Sequence, residues 1–106
     1  MVWVYLIAAG LLEVVWATLM KKSNGFSLPI PTALTLVTMA ASFALLSLAM
    51  KTLPLGTAYT VWTGIGAVGA FLVGIVVLGE AVTPLRCLAA VLITAGIVLM
   101  KLTSDA

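Results

Sequence analysis

Apolar residues fill four stretches of the chain, and the charged and turn-forming residues fall between them. A bilayer core about 30 Å thick is crossed by roughly 20 apolar residues in a helix. The pattern therefore predicts four spans, over about residues 2–20, 30–50, 57–78 and 86–101, separated by "KKSNGFSLP", "KTLPLG" and "GEAVTP". Pro29, Pro31, Pro54 and Pro84 fall at or near proposed span ends, where a missing N–H does least harm. Trp3 and Tyr5 sit where an interfacial aromatic belt is expected. Connections this short make consecutive spans antiparallel neighbours, and an even number of spans puts both termini on one side.

Composition turns this helical pattern into a membrane protein. The chain is 64% hydrophobic and only 8% charged, whereas a soluble domain carries about 25% charged residues to cover its surface. The first span lacks the basic start and clear cleavage site of a signal peptide and contains Glu13, so it reads as a retained helix. Residues 1–106 form one membrane domain on this reading, with no linker or separate soluble part. Histidine is absent and Cys87 is the only cysteine. Neither a disulfide framework nor a His/Cys metal site is available within one chain, and Cys87 reads as a small apolar filler. No nucleophile–base pair, phosphate loop or cofactor motif is present, so no enzyme, cofactor or metal is expected. The net charge of +2 is spread over span ends and implies no nucleic-acid partner.

Charge also bears on orientation. Lys51 and Lys101 lie on the side of the termini, together with the N-terminal amine, and Lys21, Lys22 and Arg86 on the other. This bias is too small to fix one orientation under the positive-inside rule. One reading is a small protein whose orientation signal is simply weak; the other is insertion both ways, with the two populations pairing as an antiparallel dimer.

Within the spans, "GLLEVVWATLM" carries the one charged residue, Glu13. A charged side chain there costs about 2.5–3.5 kcal/mol on the insertion scale. A protonated acid bonded to a neighbouring helix is one way to avoid that cost. The other is an acid that holds a proton in one state and a cation in the next. Low dielectric disfavours the bare carboxylate, so an arriving cation expels the proton. That competition is enough for exchange transport if the site can face either side.

Trp16 lies one turn beyond Glu13, with Gly10 and Ala17 near the same face. In the second span Thr35, Thr38 and Ser42 recur at helical spacing as a polar stripe. In the third, "AYTVWTGIGAVGA" puts Tyr59, Trp62 or Thr63, and Gly66 on one face. The glycines of that span permit close packing or a bend. In the fourth, Ala89, Leu92 and Gly96 form a narrow face suited to self-association.

Together these features resemble the small multidrug resistance family of bacterial inner-membrane exporters. The resemblance covers essentially the whole chain and is carried by the first-span glutamate, "KKSNGF", "LPLGTAYTVWTGIGAVG" and the end of the fourth span. It implies an all-α, four-span protein working as an antiparallel, dual-topology homodimer whose two glutamates share a cavity. "EVVW" and "VTMAAS" make it most similar to the guanidinium exporter subtype, with Trp16 where multidrug members carry a small residue and Met39 where they carry tyrosine. The resemblance implies that Glu13 binds cation and proton, with Trp16, Ser42, Tyr59 and Trp62 as a hydrogen-bonded box around it. Gly10, Thr38, Met39 and Thr63 become possible lining, Gly64 and Ile65 a kink, and Ala89, Leu92 and Gly96 a dimer contact. Ala89 departs from the glycine common at its position. The expected function is proton-coupled export of guanidinium-type cations across the inner membrane. The alternatives are export of quaternary ammonium or other lipophilic cations, a non-transporting membrane assembly subunit, and a channel.

Overall fold

In the computed structural model, which describes residues 1–103, the protein is all-helical. Four helices follow in order: α1 (Val2–Lys22), α2 (Pro29–Met50), α3 (Leu55–Val76) and α4 (Pro84–Leu102). Each is long and apolar enough to cross a membrane. Ser104, Asp105 and Ala106, which the single-domain reading includes, lie outside the described residues.

The ends follow local chemistry. α1 continues through Lys21 and Lys22, past the expected end at residue 20. α3 begins directly after Pro54, whose extended backbone serves as the N-cap. It stops two residues before the expected 78, because Leu78 N–H turns back to Val73 O at 3.3 Å and Gly79 adopts a left-handed φ of +70°. α4 begins at Pro84 rather than 86, since Thr83 Oγ1 accepts the Arg86 N–H at 3.2 Å and Pro84 takes the first helical position. The α1–α2 connection is built on buried Ser23, whose hydroxyl donates to Met20 O at 2.7 Å and accepts Phe26 N–H at 3.0 Å. Asn24, Gly25 and Phe26 then all turn left-handed, with φ of +52°, +71° and +63°.

α1 packs most extensively, on both α2 and α3, and α3 meets all three other helices; α4 packs on α3, with Lys101 also lying over the Trp3 ring of α1 at 4.8 Å. The core joins Leu6 and Ala9 of α1, Leu46 and Ala49 of α2, Leu53, and Ala58, Val61 and Trp62 of α3. Its three alanines let the backbones approach closely, as lipid-embedded helices require in place of a solvent-driven core. No residue in the apolar window of α4 is buried, against 28% of that of α3.

Candidate functional site: the Glu13 pocket

Glu13 fits against α3 only because α3 presents glycine to it. A Cβ at Gly66 would overlap Glu13 Oε1 and Cδ. One turn earlier on α1 the relation is reversed: Gly10 makes room for Ile65, whose Cγ2 stands 2.7 Å from where a Cβ would be. Glu13 Oε1 and Trp16 Nε1 are both shut off from solvent with no hydrogen-bond partner among the described residues. Leaving such a group unsatisfied costs about 1–3 kcal/mol. The two orphans, an acceptor and a donor, sit one turn apart on the same helix.

Ser42 supplies the main polar bond between helices. Its buried hydroxyl donates to Ala9 O of α1 at 2.7 Å and accepts the Trp62 indole N–H of α3 at 3.0 Å. The hydrogen-bonded box expected around Glu13 therefore differs in this structure. The Ser42 and Trp62 donors go to Ala9 O and Ser42 Oγ, because a hydroxyl has one proton and the α1 carbonyl already lies within its reach. The rest of the polar stripe turns inward on its own helix, with Thr35 bonding Pro31 O at 2.7 Å and Thr38 bonding Leu34 O at 2.8 Å.

An aromatic run crosses the three packed helices. Trp16 meets Phe43 edge-on at 6.2 Å, Phe43 meets Trp62 at 5.8 Å, and Trp62 meets Tyr59 at 5.6 Å. Sequence reasoning missed Phe43. Its signal was the four-residue step from Met39, which puts both on one face of α2. Trp62 is part of this run, and Tyr59, which it meets, also borders the groove that Thr63 lines. That groove, of about 600 Å³, lies between α3 and α4, with Gly64, Gly96 and Ile97 along it. Met39 is half-buried, and Gly10 is covered by Ile65 rather than open to the pocket. α3 stays helical through Gly64 and Ile65. Ala89, Leu92 and Gly96 are exposed.

The family model for the Small Multidrug Resistance protein matches residues 1–93. The chain belongs to the small multidrug resistance family. Relatives within it include proteins named guanidinium exporter from Yersinia pseudotuberculosis, 58% identical over 98% of this chain and 100% of the relative. Those from Salmonella typhimurium and Escherichia coli (strain K12) are 56% and 54% identical, each over 98% of this chain and 99% of the relative. In a small multidrug resistance protein the four apolar helices are the membrane spans, and Glu13 is the one acid within them. Its relatives are named as exporters, not enzymes.

Proposed function

We propose that this protein is a proton-coupled antiporter that exports guanidinium and small guanidinyl cations across the bacterial inner membrane. The observation that carries the reading is the buried, unpartnered Glu13 Oε1 in a membrane-spanning helix. The shared name of the relatives supports the choice of cation. An acid in that position has two natural partners, a proton and a cation, and it cannot hold both. Guanidinium is planar and presents paired N–H donors that fit a carboxylate bidentately. Trp16, Phe43, Trp62 and Tyr59 offer ring surface beside it and restrict the space to a small ligand. The Trp16 N–H, a donor that guanidinium cannot satisfy, is assigned to the carboxylate itself, orienting it as the cation binds.

In this mechanism cation binding displaces the proton, and the loaded site then turns to the opposite side. Two oppositely inserted copies supply the symmetry that inverted repeats supply in larger transporters. Ala89, Leu92 and Gly96 are assigned to the contact between copies, and Gly64 and Ile65 to the bend that lets α3 move. Thr38, Met39, Thr63 and Gly10 are assigned to the lining of the path. In proteoliposomes a pH gradient should drive guanidinium uptake, and Glu13→Gln should abolish it. Coupled uptake retained by that variant would overturn the mechanism. Preferential transport of tetraphenylphosphonium in the same assay would favour the multidrug alternative, and an absence of substrate-dependent proton flux the assembly-subunit one.

A further inference from the structure

Glu80 is the second of the two acidic residues among the described ones and lies in the α3–α4 connection, outside the Glu13 pocket. The connection folds back on the helix it leaves, with Glu80 N–H donating to Gly74 O at 2.9 Å after the left-handed turn at Gly79. The carboxylate then rests on Gly74, where a Cβ would overlap Oε1. Backbone and side chain together hold this acid against the end of α3.

Two small cavities meet at it. One, of about 200 Å³, lies between α1 and α3 and is bordered by Thr18, Lys21, Gly74 and Glu80. The other, of about 260 Å³, lies between α3 and α4 and is bordered by Phe71, Glu80, Arg86 and Ala89. Lys21 is in the last turn of α1 and Arg86 in the first turn of α4. Glu80 thus stands between the cations of two helices that do not pack on each other. It is ion-paired with neither here, although both are long side chains able to swing toward it. The α4 backbone packs on α3, and Lys101 of α4 reaches the Trp3 ring of α1 only at the opposite face, 4.8 Å from its centroid, so at this membrane face the relation of α4 to α1 passes through Glu80 and the helix end it holds.

We propose that Glu80 is a positioning residue that ties the ends of α1 and α4 together at this membrane face through Lys21 and Arg86. It sets how fast the face opens and closes and does not touch the transported cation. The inference rests on the transport reading above. It is tested on the full chain by measuring guanidinium affinity by titration in detergent, and turnover of pH-driven guanidinium uptake in proteoliposomes. Glu80→Gln keeps the shape over Gly74 and removes the charge, whereas Glu80→Asp keeps the charge and shortens the reach over Gly74. The expected result is an unchanged Kd for both, with turnover lowered about fivefold in Glu80→Gln and close to wild type in Glu80→Asp. Unchanged turnover in Glu80→Gln, a Kd that moves in step with turnover, or loss confined to Glu80→Asp would overturn the proposal, the last by leaving only a packing role. If Glu80→Gln does not fold, Arg86→Gln alone weakens the same attraction while leaving two basic side chains on each side, Lys21 and Lys22 against Lys51 and Lys101, and should lower turnover with Kd unchanged; unchanged turnover there also overturns it. Wild-type protein without pH-driven uptake would sink the transport reading as well, which separates the two failures.

Discussion

The Ser42 hydroxyl joins three helices, and its removal leaves two of them short of a partner. Ser42→Ala takes the donor from Ala9 O and strands the buried Trp62 N–H. Interhelical bonds in membranes average about 0.6 kcal/mol, and a stranded buried donor adds to that, so a loss of about 1–2 kcal/mol is expected. In a Trp62→Phe background no indole N–H remains to strand, and the same substitution should cost less. Thermal unfolding of the purified variants checks this; equal costs in both backgrounds would show that the Ser42–Trp62 bond contributes nothing. At this scale Glu13 was legible in the sequence, because a lone acid in an apolar run needs no neighbour to make it conspicuous. The partner of Ser42 was not. Helical spacing puts a hydroxyl on a face, but only the rotation of α2 against α1 decides whether it meets a carboxylate or a backbone carbonyl. Phe43 was missed for the same reason, since its contacts with Trp16 and Trp62 belong to two other helices.

Among the elements, α3 is the one that faces two ways. Successive helical residues point about 100° apart, as 3.6 residues per turn requires, so Gly64, Ile65 and Gly66 meet different neighbours. Gly64 receives Ile97 of α4, Ile65 covers Gly10 of α1, and Gly66 seats Glu13. A Cβ at Gly64 would lie 2.8 Å from Ile97 Cδ1. Gly64→Ala is therefore expected to cost about 1–3 kcal/mol by overpacking. Adding Ile97→Ala, which removes the obstructing atoms, should make Gly64→Ala less costly than it is alone. Melting temperatures of the single and double variants measure the compensation, and simple additivity would mean that the two sites do not meet. The sequence announced the helices through their length and the neighbourhood of their starts through Pro29, Pro54 and Pro84, but the Thr83 cap that begins α4 two residues early was seen only in the structure. It also announced glycine-dense packing in α3. It did not assign each glycine to a neighbour, because spacing alone carries no information on which helix stands opposite.

For the whole molecule, the exposed apolar α4 is the feature that most needs a covering. Lipid can solvate it, but Gly96 also lines the open groove between α3 and α4, and Leu92 is exposed. An oppositely inserted second copy is the proposed neighbour. The near balance of Lys21, Lys22 and Arg86 against Lys51 and Lys101 is what would allow both insertions. A thiol label at Ala106→Cys, in a Cys87→Ser background, should react from both sides of the membrane. Lys21→Gln with Lys22→Gln should shift the label toward one side and lower transport. Wild-type labelling from a single side would contradict dual topology.

The sequence by itself determined the environment, the number and rough limits of the helices, and the one acid set within an apolar span, Glu13. These follow from additive quantities: apolar length against bilayer thickness, turn chemistry at helix ends, and the cost of a charge in hydrocarbon. Only the tertiary structure decided that Ser42 bonds Ala9 and Trp62, that Phe43 completes the aromatic run, that Gly66 rather than another glycine seats the acid, and that Glu80 lies between Lys21 and Arg86. Each depends on how helices are rotated and offset against one another, which is fixed by side-chain fit across all of them at once and not by any one segment.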